Sequence, residues 1–247
     1  MQGISNPQSI AMWSGPRNIS TALMRAFENR SDCEVLDEPL YGHYLHKTGI
    51  NHPGADEVIA AQGIDWQNIV NTCVSRSPEQ KPLFYQKHMT LHLPPEMDKN
   101  WLSKLTNCFL IREPERVIAS YAAVREQPTL DDIGFRQQAR LFDYVVGNIC
   151  SKPLVIDSKS FLQNPEPMLR EICRRLDITF EPGMLSWKTG ARASDGVWAK
   201  YWYDSVWKSS GFSRYTEKPL NLNNYESKLA EQARPYFDRL FAQRVQI

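Results

Sequence analysis

Arg17, Ser20 and Thr21 follow a turn at Gly15-Pro16 and open an amphipathic stretch with Leu23, Met24 and Phe27 on one side. The run before the turn, Ile10-Ala11-Met12-Trp13, is apolar, so the order is strand, turn, helix N-terminus. N–H groups in a helix's first turn lack intrahelical partners, and the helix dipole adds partial positive charge there. A forked, permanently charged guanidinium and two hydroxyls beside such a turn make a cradle for phosphate or sulfate. The triphosphate loop G-x-x-x-x-G-K-[ST] is a different device. Here there is no second glycine and no lysine before the hydroxyl, which disfavours ATP hydrolysis. A proline that merely starts a helix is the plainer alternative for this segment.

Other groups able to do chemistry stand at the ends of further apolar runs: Glu38 after Cys33–Asp37, Lys87 and His88 after Leu83–Gln86, and Arg112 after Asn107–Ile111. The patterning predicts strands over 9–14, 33–37, 83–87, 107–111 and 153–157. It predicts helices over 18–29, 65–76, 114–125, 130–149, 165–175 and 225–243, a βαβ rhythm in one α/β domain spanning 1–247. Parallel strands with right-handed crossovers put every carboxyl end on one edge, where ligands bind. Four charged or titratable clusters then share that edge. Successive residues of a strand point to opposite faces, so Lys87 and His88 face one group only if the strand has already ended. Residues 42–64, rich in Gly, His, Pro and Asn, read as a lid or acceptor-side insert. The irregular stretch 180–224, dense in Trp and Tyr, reads as a flap over the ligand.

Composition bounds the function class. The chain has 247 residues, is 42% hydrophobic and carries a net charge of +1, enough for a substantial core and without the basic excess of a nucleic-acid-binding protein. No apolar run approaches the roughly 20 residues that cross a bilayer, and Met1–Ser9 lacks the pattern of a secretory leader, so no membrane partner and a cytoplasmic location are expected. Cys33, Cys73, Cys108, Cys150 and Cys173 are scattered, mostly within apolar runs, and read as thiols of a reducing compartment. The histidines His43, His46, His52 and His92 are widely spaced without a Cys or carboxylate cluster, so no metal site is expected.

The stretch Pro16-Arg17-Asn18-Ile19-Ser20-Thr21 resembles the 5′-phosphosulfate loop P-[KR]-S-G-T-T of the sulfotransferases that use 3′-phosphoadenosine 5′-phosphosulfate. Leu23-Met24-Arg25-Ala26 is similar to the helix that follows in their tyrosylprotein branch. Asn18 and Ile19 stand where Ser-Gly is usual. A β-branched Ile19 resists positive φ, so the loop must pass that residue in a helical or extended conformation. The resemblance implies a three-layer α/β sandwich around a mostly parallel sheet, the P-loop NTPase-like sulfotransferase fold. It also implies that Arg112 and Ser120, spaced as the family's strand-end arginine and helix serine, hold the donor's 3′-phosphate. Lys208-Ser209-Ser210-Gly211-Phe212 and Lys218-Pro219-Leu220 look like the family's carboxy-terminal flap, with Ser210 and Lys218 as phosphate contacts.

Sulfuryl transfer needs cations on the departing phosphate, a base for the acceptor's proton and in-line placement of its oxygen. The tyrosylprotein branch implies Glu38 as base with Lys87 assisting; the cytosolic branch, whose histidine lies two residues after its lysine, makes His88 the rival base. The acceptor expected is a small hydroxyl compound. Trp198, Tyr201, Trp202, Tyr203 and Trp207 either stack on adenine, wall the acceptor pocket or belong to the core. Two other classes stay open: a small-molecule kinase with a degenerate loop, and a non-catalytic nucleotide-binding module.

Overall fold

The computed structural model describes residues 8–75, 79–125, 127–217 and 219–247. Five parallel strands form one sheet in the order β2-β3-β1-β4-β5: β1 (Gln8–Ser14), β2 (Cys33–Asp37), β3 (Leu83–Met89), β4 (Thr106–Ile111) and β5 (Leu154–Asp157). Helices α1 (Ser20–Glu28), α2 (Tyr41–Thr48), α3 (Ala55–Gln62) and α4 (Trp66–Val74) lie between the first three strands in sequence. Next come α5 (Pro114–Ala122) and α6 (Phe135–Asn148), then α7 (Ser158–Gln163) and α8 (Pro165–Arg175). The short α9 (Ala199–Trp202) and α10 (Asp204–Trp207) precede the long α11 (Asn224–Phe241).

Strand alternation splits the core in two. Ile10, Met12, Tyr85, Cys108 and Leu110 pack against α1, α7 and α8, whereas Ala11, Trp13, Phe109 and Val155 pack against α4, α5, α6 and α11. The result is a three-layer α/β sandwich whose strands are buried on both faces, as a parallel sheet requires. The chain leaves β1 toward β2 and later crosses to the opposite side for β4. The carboxyl end of β1 therefore sits where the winding reverses, the position at which such sheets hold ligands.

Two stretches are more regular than their composition suggested. Within 42–64, Gly49, Gly54 and Gly63 all adopt positive φ and punctuate α2 and α3; they end and start helices. Within 180–224 the aromatic residues form α9 and α10, and Tyr41, Leu45, Val58, Trp198, Ala199 and Tyr203 make a third, small core between the two stretches. Helix α6 begins at Phe135 because Gly134 turns the chain with φ +73 just before it. Helix α7, unseen in the periodicity, is started by Asp157, whose carboxylate accepts from Ser160 N–H at 2.9 Å.

Candidate active site

The loop after β1 turns on a residue that is not glycine. Arg17 takes φ 56, while Ile19 stays near the helical region at φ −89, so the β-branched position is spared and the arginine absorbs the left-handed step. Asn18 makes this arrangement stable. Its amide donates to Leu110 O at 3.2 Å and its carbonyl accepts from Ile19 N–H at 2.8 Å, tying the loop to β4. Arg112 donates from Nη1 to Arg17 O and fixes the same turn from the other strand end. Helix α1 has no side-chain cap, and its first backbone bond runs from Leu23 N–H to Ile19 O. Helix geometry thus leaves the N–H groups of Ser20, Thr21 and Ala22 for a ligand.

Two guanidiniums stand beside that helix end. Arg17 donates from Nε to Ser120 Oγ at 3.0 Å, and among the described residues neither Arg17 nor Arg112 has a carboxylate in ion-pair range. Burial, followed by the nearby charges of Arg116 and Arg17, lowers the pKa of Arg112 from its ordinary value. Glu113 offsets part of this, but with no carboxylate in direct contact the two guanidiniums favour a bound anion.

A buried charge cluster forms at the carboxyl-terminal parts of β2 and β3. Lys87 Nζ donates to Asp37 Oδ1 at 2.9 Å, to Tyr203 OH at 2.8 Å and to Glu38 Oε1. Tyr203 in turn donates to Asp37 Oδ2 at 2.7 Å. One cation therefore serves two carboxylates. Burial opposes the charge of Lys87, yet Asp37, Glu38 and Tyr203 together hold its pKa well above the ordinary lysine value. Burial also acts most strongly on Glu38. With the Asp37 charge added it outweighs the pull of Lys87, and the Glu38 carboxyl is more basic than an ordinary glutamate. Glu38 is held at φ 39, with its N–H bonded to Lys87 O at 2.8 Å and its carbonyl to Gln62 Nε2 at 3.0 Å. Like Arg17, it carries backbone strain where the surrounding bonds over-determine it.

A cavity of about 630 Å³ joins the two clusters. Every residue from Pro16 to Thr21 lines it, as do Glu38, Lys87, Arg112 and Ser120. Two sequence-based candidates, His88 and Ser210, are not there. His88 lies on the opposite face of β3 from Lys87, stacked on Trp13 at 4.3 Å with Nε2 3.1 Å from Gln86 Oε1, and burial pushes its pKa down to about 3. Strand alternation decides this, because β3 continues to Met89 and the two neighbours diverge. Ser210 is exposed and contributes its backbone carbonyl to Trp187 N–H at 3.0 Å; Ser209 and Ser213 line the cavity instead. Lys218 lies outside the described residues.

The aromatic candidates divide. Trp202 and Tyr203 line the cavity, Trp198 is buried in the third core, Tyr201 is exposed, and Trp207 donates to Asp195 Oδ2 at 2.9 Å. Residues without a motif complete the wall: Tyr41 and Tyr44 on one face of α2, His52, His92, Tyr121 and Arg125. Their one sequence signal was the spacing of Tyr41 and Tyr44, a shared helix face. Among the described residues no group of three His, Cys, Asp or Glu is placed to hold a metal, and no helix is long and apolar enough to cross a membrane.

Comparison with known proteins places this geometry in context. A family model described as a sulfotransferase domain matches residues 8–244. Two Arabidopsis thaliana proteins named branched-chain-amino-acid aminotransferase-like protein 1 and 2 are each 32% identical, over 96% and 94% of this chain. The chain spans about two fifths of their length, 42% and 41%. Three solved structures share the fold. A sulfotransferase domain from the curacin biosynthetic pathway is 16% identical with TM-score 0.55, covering 92% of this chain and 97% of its own. The sulfotransferase domain of a Synechococcus olefin synthase is 18% identical with TM-score 0.53, covering 92% and 95%. A sulfotransferase from Alicyclobacillus acidocaldarius is 11% identical with TM-score 0.53, covering 97% of both chains.

Proposed function

The chain belongs to the sulfotransferase-domain family, and on that premise we propose that it moves a sulfuryl group from 3′-phosphoadenosine 5′-phosphosulfate to a hydroxyl of a small-molecule acceptor. The observation that carries the reading is that one cavity holds both halves of the chemistry: an uncapped helix N-terminus with two guanidiniums, and a buried carboxylate of raised basicity. The first turn of α1 with Arg17, Ser20 and Thr21 would hold the phosphosulfate, and Arg112 with Ser120 the 3′-phosphate. The donor supplies the sulfuryl group; the remaining work falls to the chain. Glu38 takes the acceptor's proton, and Lys87 fixes Oε1 of that carboxylate so that it keeps one orientation. Arg17 stabilises the charge that develops on the departing phosphate.

Residues 42–64 and 180–224 contribute the wall away from the loop, which supports an acceptor-side insert and a nucleotide-covering flap within one domain. The five cysteines are unpaired and four are buried, which supports a reducing compartment, the cytoplasm. Aminotransferase chemistry, in the names of the two plant relatives, needs a lysine that can lose its proton to form an imine. Lys87 is the cavity's lysine among the described residues, and two carboxylates hold it protonated.

Calorimetry with adenosine 3′,5′-bisphosphate, 5′-AMP and ATP tests the donor. A single charge-assisted phosphate contact is worth roughly 1.5–3 kcal/mol, so the bisphosphate should bind about one to two decades more tightly than 5′-AMP. Equal affinities, or a preference for ATP, overturn the reading.

A further inference from the structure

His92 holds a buried polar atom that nothing in the protein satisfies. It sits on the 3₁₀ turn Thr90–His92 that continues β3, its side chain is 4% exposed, and its Nδ1 has no hydrogen-bond partner. Buried polar atoms without partners are rare enough to need a cause. The ring is held flat between two tyrosines, 4.5 Å from Tyr41 at an interplanar angle of 3° and 4.8 Å from Tyr44 at 29°. It cannot swing to find a partner, and it lines the cavity. Nδ1 stands 3.8 Å from Glu38 Oε2, the oxygen opposite the one that Lys87 takes. That separation is too long for a direct hydrogen bond, and Nδ1 is closed to water as the site stands, so a hydroxyl bridges the two groups once a small shift of the Glu38 carboxylate opens the gap between them. An oxygen at ordinary hydrogen-bond lengths of about 2.7 Å from Oε2 and about 2.9 Å from Nδ1 subtends an angle of about 85° between them.

We propose that His92 is a catalytic residue that, with Glu38, clamps the acceptor hydroxyl: His92 Nδ1–H donates to the acceptor oxygen while Glu38 Oε2 accepts that oxygen's proton. The clamp rests on the sulfuryl-transfer reading and adds to it a residue and a selection rule. Only a group that both donates and accepts through one atom completes it, which is what a hydroxyl does. In the transfer, an O–S bond forms from the clamped oxygen and the S–O bond to the donor's phosphate breaks, leaving its electron pair on the phosphate. The hydroxyl proton passes to Glu38 Oε2. His92 neither gains nor loses a proton overall; it aims the oxygen's lone pair. Burial, with the nearby charge of Lys87, keeps the ring neutral, so Nδ1 carries its hydrogen as a donor in one tautomer.

Water is itself a hydroxyl acceptor, so the test needs no identified substrate. The probe is release of sulfate from ³⁵S-labelled 3′-phosphoadenosine 5′-phosphosulfate, measured beside calorimetric binding of adenosine 3′,5′-bisphosphate. His92→Phe keeps the stacked ring and removes Nδ1; His92→Asn returns an amide donor near the same place. His92→Phe should bind the bisphosphate like the parent and lose about 10²-fold in sulfate release, the cost of a reacting atom misplaced by roughly 1 Å. His92→Asn should recover most of that loss. Parental release by His92→Phe overturns the clamp, as does a His92→Asn variant as slow as His92→Phe, since the ring would then serve packing alone. A parent that binds the bisphosphate yet releases no sulfate above the protein-free rate also overturns it. Failure of the parent to bind the bisphosphate instead overturns the donor assignment beneath it.

Discussion

Glu38→Gln separates the chemistry of the site from its stability, because the structure makes opposite demands for the two. The variant keeps the shape of the side chain and an acceptor for Lys87 Nζ, and the backbone at φ 39 is as strained with Gln as with Glu. What it removes is one of two carboxylates sharing one cation. The pair of Lys87 and Asp37 at 2.9 Å and the bond from Tyr203 to Asp37 remain, so the cluster becomes neutral. An ionised carboxylate in such a place costs several kcal/mol of desolvation that a shared lysine offsets only in part. The expected change is thus between zero and a gain of about 1 kcal/mol, or up to about 2–4 °C in Tm for a domain of this size. The pH dependence has a definite sign. The folded protein raises the Glu38 pKa, so stability from this group is full below its unfolded value and is lost as pH rises through the folded value. The variant's advantage should therefore be present at neutral pH and vanish in acid. Transfer should fall by about 10²–10⁴, the usual contribution of a positioned base. In the parent, the acidic limb of kcat/KM should lie above the ordinary carboxylate range, because Glu38 must be ionised to act. Thermal unfolding across pH and sulfate transfer from labelled donor, to p-nitrophenol or to water, measure both. A variant retaining more than about a tenth of parental transfer, or one losing more than about 5 °C, would refute the reasoning.

Lys87→Met leaves Asp37 and Glu38 buried without a cation and should destabilise the fold by about 3–5 kcal/mol, read as a large fall in Tm that lessens in acid; an unchanged Tm refutes the cluster's role. Arg17→Gly relieves a non-glycine residue at φ 56 while removing the guanidinium, so stability should hold or rise slightly while turnover drops about 10²–10³, with nucleotide affinity changed far less. Parental turnover in Arg17→Gly counts against transition-state stabilisation. Arg112→Ala should weaken adenosine 3′,5′-bisphosphate by about one to two decades and 5′-AMP much less, by calorimetry; equal losses for both show that Arg112 acts only by bracing the loop through Arg17 O.

Much of the fold was legible because its signals are local. A parallel strand buried on both faces is a short apolar run, and each of the five predicted runs is a strand within one or two residues of its expected bounds. The glycine-bracketed helices α2 and α3 were not legible, because Gly, His and Pro density reads as loop when the glycines are in fact caps. The short α9 and α10 draw their stability from packing in the third core, and no periodicity can register over so few residues.

The sequence by itself determined the turn between β1 and α1 and the edge on which the charged groups gather. These follow from residue types next to each other in the chain and from the one-way geometry of parallel strands. Even the divergence of Lys87 and His88 was implicit in strand alternation, and only the length of β3 was needed to decide it. The tertiary structure decided the environment of each group. That Lys87 is shared by Asp37, Glu38 and Tyr203, that Arg17 rather than a glycine takes the left-handed turn, and that His92 faces Glu38 between two tyrosines all depend on contacts between distant segments. Basicity, orientation and strain arise from burial and from neighbours in space, and a single sequence lists neither.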